Sequence, residues 1–122
     1  MLTPTRNYTY SAVFGQPGGW SSGHHTGLDF ATATGTPVLS ALAGEVVQAG
    51  WDGAYGNRII VRHDNGVKTM YAHLSSTSVN VGDKVTRGQR IGAVGTTGNS
   101  SGPHLHFEVI KKGTQRDPKA FL

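Results

Sequence analysis

Apolar residues in this chain fall in short alternating runs separated by glycine-rich turns. Side chains of an extended strand alternate faces. The run "HLHFEV" therefore sorts into two sets, with His104, His106 and Glu108 on one face and Leu105, Phe107 and Val109 on the other. The second set is a core face, which leaves the histidines looking outward into solvent or a groove. "GEVVQAG" (44–50) reads as another strand. "NRIIVRHDNGVKTMYAHL" reads as two strands joined at Asn65-Gly66, a dipeptide that favours a tight hairpin turn. "VGDKVTRGQRIGAVG" alternates turn and strand twice, and "TQRDPKAFL" reads as a short tail. No segment of ten or more residues carries helical periodicity. The pattern predicts an all-β, mostly antiparallel fold, a sandwich or barrel-like form with little or no helix.

The length of 122 residues suits a single domain spanning 1–122, with 1–14 as an N-terminal segment and 111–122 as a C-terminal tail. Glycine accounts for 18 residues, but these punctuate Val-, Ile- and Thr-rich runs rather than forming a linker. A formal net charge of +4 favours anionic partners. Neither an RNA-binding aromatic signature nor a helix-turn-helix pattern is present, so nucleic acid is not an expected partner. Absence of cysteine removes disulfides and thiolate metal sites. No run has the length of a membrane span, and "MLTPTRNYTY" lacks the apolar core of a signal peptide. The expectation is either a cytoplasmic protein or the mature or trimmed domain of a secreted one.

Histidines change the picture. In "HHTGLDF", alternation puts His25, Gly27 and Asp29 on one side and Leu28 and Phe30 on the other. In "TMYAHL" it puts Tyr71 and His73 together, against Met70, Ala72 and Leu74. Three segments thus each offer an imidazole beside apolar alternation. Zinc suits such a set, because it takes imidazole nitrogen and carboxylate oxygen and keeps a fourth position for water in catalytic sites. Calcium or magnesium would need more oxygen ligands than these motifs supply. His63, beside Arg62, reads as a solvated surface residue, and His24 as a surface or supporting one. Neither a GxSxG elbow nor an HExxH helix occurs. "VGTTGNSSG" lacks the GK[ST] ending of a phosphate loop and reads as a loop shaping a groove wall.

The ordered set "HTGLD", His73 of "YAHL" and "HLH" resembles the lysostaphin and LytM-type zinc metallopeptidases, which cleave peptide cross-links of bacterial peptidoglycan. The likeness runs from about Gly15 to Val109. It implies one zinc ion held by His25, Asp29 and His106 in a groove, with His73 and His104 as the catalytic pair beside it. No Glu occupies a motif position, so a histidine would take the proton of the attacking water and return it to the departing amine. The second would hold the water or stabilise the oxyanion. Some members of the family add a tyrosine from the loop before the first ligand. That loop here has Trp20 but no Tyr, which makes Trp20 a candidate groove wall; Asn57 and Tyr71 are further candidate substrate contacts.

The resemblance implies a secreted or wall-associated endopeptidase acting on Gly-Gly, D-Ala-Gly or D-Ala-diamino acid bonds; a monomer with no separate wall-binding domain is the expectation for these 122 residues. Anionic wall polymers are a further expected partner. Two alternatives are a non-catalytic wall-binding or activating module of the same fold, and a biotinyl- or lipoyl-type carrier. The first would be expected to lose metal ligands, yet all five positions are kept. The second needs a lysine at a hairpin tip, where this chain has Asn65-Gly66.

Overall fold

The computed structural model describes residues 1–18 and 25–122, so Trp20 and His24 lie outside the described residues. The described residues form ten strands: β1 (Thr9–Ala12), β2 (Leu28–Ala31), β3 (Pro37–Leu39), β4 (Gly44–Trp51), β5 (Asn57–Arg62), β6 (Val67–Thr77), β7 (Lys84–Val85), β8 (Arg90–Val94), β9 (His104–Lys111) and β10 (Thr114–Arg116). All pairings are antiparallel, and the main path runs β1-β2-β9-β6-β5-β4-β7. The only helical pieces among them are single 3₁₀ turns at Gly53–Tyr55 and Pro118–Ala120, neither long nor apolar enough to cross a membrane. The all-β expectation therefore holds.

Strand β6 connects the two parts of the sheet. Its first half lies between β5 and β9, and its second half pairs with β8, which in turn pairs with β3. The core fills the space between, with Leu28, Phe30, Ile59, Tyr71, Leu105 and Phe107 buried against Val38, Leu74, Ile91 and Val94. Burying each such side chain is worth roughly 1.5–3 kcal/mol. The β5–β6 hairpin turns at Asn65 (φ 60°) and Gly66 (φ 72°), the pair of positive φ values that a type I′ turn demands.

Strict alternation fails in β6. Ile59 pairs with Tyr71 and Asn57 with Leu74, so Ala72 and His73 together stand opposite Arg58. This is a bulge, and His73 carries its left-handed conformation at φ 62°. Tyr71 and Leu74 consequently both enter the core, while His73 leaves it. Tyr71 is therefore not a substrate contact. It is fully buried, its hydroxyl accepting from the Ala41 amide at 2.9 Å and bonded to Thr69 Oγ1 at 2.7 Å.

His63 is also not the solvated residue its neighbours suggested. Its ring is buried, with Nδ1 2.7 Å from the Ala43 carbonyl and Nε2 2.8 Å from Thr69 Oγ1. Burial depresses its pKa despite the Ala43 bond. The tail is more ordered than a tail need be: β10 returns along β9, and Asp117 caps the last 3₁₀ turn by accepting from the Lys119 amide at 3.0 Å. The Met1 ammonium donates to the Phe121 carbonyl at 2.8 Å.

Candidate active site

Strands β2 and β9 are neighbours, and their register sets Asp29 directly opposite His106 and Ala31 opposite His104. Directly paired residues project to the same face. On the other side of β9, Ala72 pairs with His106, which brings His73 to the same place. His25 precedes β2, and the chain reaches it by passing over β9 at Gly27. A Cβ on Gly27 would lie 2.3 Å from the Phe107 carbonyl oxygen and 2.9 Å from Glu108 Cγ, so this crossing admits only glycine.

The result is a compact group. His25 Nε2 lies 3.1 Å from Asp29 Oδ1, and His106 Nδ1 lies 2.7 Å from the same oxygen. Ligand atoms of His25, Asp29 and His106 all fall within 4.8 Å of one another, and the three residues are buried. Two imidazole nitrogens and one carboxylate oxygen are the donor set of a catalytic zinc ion with an open position. The donors present thus fit a single zinc.

His73 and His104 flank this triad, their ring centroids 4.7 Å apart, with His73 6.1 Å from His106. His73 Nδ1 donates to the Thr97 carbonyl at 2.7 Å, and His104 Nδ1 lies 2.9 Å from the Gly102 carbonyl. An Nδ1–H committed to a carbonyl leaves Nε2 with its lone pair. His104 Nε2 faces Asp29 Oδ2 at 3.7 Å. Thr97 is fixed in turn, since Gly98 and Gly56 meet so closely that a Cβ on Gly98 would sit 2.3 Å from the Gly56 nitrogen.

Charge in the site is balanced by direct bonds. Burial works to raise the pKa of Asp29, yet hydrogen bonds from His106 and His25 hold the carboxyl well below the usual range. Burial works to lower that of His106, and the flanking Asp29 and Glu108 carboxylates overcome it, to about 9. Burial lowers His73 to about 4, beyond what the Thr97 bond restores. His73 is neutral at ordinary pH.

The family model described as Peptidase family M23 matches residues 23–118, most of the chain and all five of these positions. The chain belongs to peptidase family M23. Among curated relatives, it is 48% identical over 94 residues to the DD-carboxypeptidase/endopeptidase Mpg of Neisseria meningitidis, a match that covers 77% of this chain and 22% of that protein. It is 42% identical over 123 residues to the glycyl-glycine endopeptidase ALE-1 of Staphylococcus capitis, covering 95% of this chain and 34% of that one. The chain therefore spans 22% and 34% of these two relatives' lengths. The catalytic domain of the antimicrobial peptidase lysostaphin from Staphylococcus simulans superposes with a TM-score of 0.88 at 40% identity, covering 94% of this chain and 92% of that one.

Asn57 sits at the edge of the site with its side chain engaged, Nδ2 donating to the Leu74 carbonyl at 3.3 Å. Four residues of the M23 site were not singled out from sequence for it: Thr26, Tyr55, Thr97 and Glu108. Tyr55 lies with its ring 5.9 Å from that of His106, under the Arg58 guanidinium at 4.9 Å. Only Glu108 had a signal, its place one pleat beyond His106 on the same face. Thr26 and Thr97 come from loops and Tyr55 from the first 3₁₀ turn, none of which alternation orders.

Proposed function

We propose that this M23 domain is a zinc-dependent endopeptidase that hydrolyses peptide cross-links of bacterial peptidoglycan. The observation that carries the reading is convergence: three ligand-type side chains meet within 4.8 Å, and two further imidazoles stand beside them with Nδ1 anchored on backbone carbonyls. Zinc held by His25, Asp29 and His106 would supply Lewis acidity, polarising the scissile carbonyl and acidifying a water. The remaining work falls to the chain. His73, kept neutral and anchored through Nδ1, offers Nε2 to accept the proton of the attacking water and pass it to the departing amine. His104, anchored on Gly102, turns Nε2 to the same space and orients the reacting groups. A module that only bound walls would have no use for this anchored pair.

The two curated relatives carry names for different bonds, a DD linkage and a glycyl-glycine one, on the same kind of domain. Bond choice is thus expected to depend on groove loops rather than on the five site residues. A wall-associated or secreted location, monomeric state, and attraction of the +4 chain to anionic wall polymers accompany the reading.

Elemental analysis of gently purified protein should give one zinc per chain. His106→Ala should lose both metal and wall lysis, whereas His73→Ala and His104→Ala should keep metal and lose turnover. Mass spectrometry of fragments from walls of known bridge chemistry then identifies the bond. Wall lysis unchanged in His73→Ala or His106→Ala would refute the enzymatic reading.

A further inference from the structure

We infer that Glu108 is a positioning residue for the metal centre: its carboxylate accepts the Nε2 proton of His106 and so fixes the ring with its Nδ1 lone pair toward the metal. The inference rests on His106 being a zinc ligand. The two imidazoles of the triad are used in opposite senses. His25 turns Nε2 to Asp29 and keeps Nδ1 against the Val13 carbonyl at 3.2 Å. His106 turns Nδ1 to Asp29 at 2.7 Å and places Nε2 2.8 Å from Glu108 Oε2. A neutral imidazole has one N–H, and a metal ligand must present the other nitrogen bare. For His106 that requires an acceptor on the Nε2 side, and Glu108 supplies it where water has little access, being 1% exposed.

Glu108 is itself braced from three separate segments. Thr26 Oγ1 donates to Oε2 at 2.7 Å, the Tyr55 hydroxyl donates to the same oxygen at 3.3 Å, and Gln115 Nε2 reaches Oε1 at 3.5 Å. Thr26 directly follows His25, so the brace ties the segment bearing one ligand to the strand bearing another. Because Asp29 and Glu108 bond opposite nitrogens of the His106 ring, that ring stands between the two carboxylates. Glu108 supports the ligand and does not itself reach the reacting atoms. Outer carboxylates of this kind orient a histidine and raise its basicity, and their loss typically weakens metal binding about 10–100-fold.

The test is competition for zinc against a fluorescent chelator, with wild type, E108A, E108Q and H106A, alongside circular dichroism of each zinc-free protein. A second readout is the His106 Nε2–H resonance in ¹H–¹⁵N spectra of the zinc-loaded protein. Glu108→Ala should bind zinc about 10–100-fold more weakly and lose the exchange-protected resonance. Glu108→Gln retains an acceptor oxygen and should recover most of the affinity and the resonance. Folded Glu108→Ala binding zinc as tightly as wild type overturns the inference, as does Glu108→Gln binding no better than Glu108→Ala. Should Glu108→Ala not fold, loss of the resonance in folded Glu108→Gln overturns it. H106A keeps the two questions apart, since its retention of zinc would refute the ligand assignment rather than the role of Glu108.

Discussion

A left-handed backbone at a residue other than glycine costs about 1–2 kcal/mol, and His73 carries one at φ 62°. The surrounding strands hold it there, because the bulge is the means by which β6 delivers an imidazole to the site while sending Tyr71 and Leu74 inward. A clean comparison is His73→Gly against His73→Ala, since both delete the ring and its bond to Thr97. At an ordinary strand position alanine would be the more stable of the two. Here the glycine variant should be more stable by about 1 kcal/mol in urea unfolding of the zinc-free protein. The same conformation explains why sequence misassigned Tyr71. A period of two carries no marker for a single inverted residue, and histidine is not a residue that advertises one.

Among the elements, β9 was legible throughout, because nothing interrupts its alternation: His104, His106 and Glu108 face the site and Leu105, Phe107 and Val109 the core, as the pattern required. The β5–β6 hairpin was legible for a chemical reason, the tolerance of Asn65 and Gly66 for positive φ. The link between β2 and β9 was not. That Gly27 touches the backbone of β9 is a fact of strand order, which local sequence does not contain. Gly27→Ala should cost about 1–3 kcal/mol through overpacking and also weaken zinc binding, because it lifts His25 away from Asp29. Thermal unfolding with and without zinc would show both effects, and a normal melting curve would contradict the crossing.

A second element-scale consequence concerns the end of β6 remote from the site. Ala41, Tyr71, Thr69 and His63 form a buried chain: the Ala41 amide donates to Tyr71, Tyr71 Oη and Thr69 Oγ1 are bonded, and Thr69 reaches His63 Nε2. Sequence placed His63 in solvent because a hairpin-adjacent histidine beside arginine usually is. With its folded pKa pushed below the unfolded value of about 6.5, His63 refuses a proton that the unfolded chain accepts. Stability should therefore fall as pH drops below about 6.5 and level off below the folded pKa. His63→Gln should flatten this slope in zinc-free protein, measured as the change in urea midpoint between pH 7 and pH 5. A slope identical to wild type would place the proton elsewhere.

At the scale of the whole molecule, the site is assembled from segments far apart in sequence. Asp29 and His106 are 77 residues apart, and Thr26 and Glu108 are 82 apart. Contacts of such long range make folding slow relative to helical proteins of equal size. They also mean that the site reports on global order, since no local fragment contains it.

The 2.8 Å bond from the Met1 ammonium to the Phe121 carbonyl brings the two ends of the chain together. Where a polypeptide begins is then a matter of connectivity rather than of shape. Joining Leu122 to Met1 through a few glycines and cutting between Asn65 and Gly66 would turn β5 and β6, now joined by the hairpin, into the terminal strands of a rearranged chain. Termini that lie close together tolerate such permutation. The permuted chain should bind zinc with wild-type stoichiometry, because none of the residues at the cut or the join is a ligand or supplies an anchoring carbonyl.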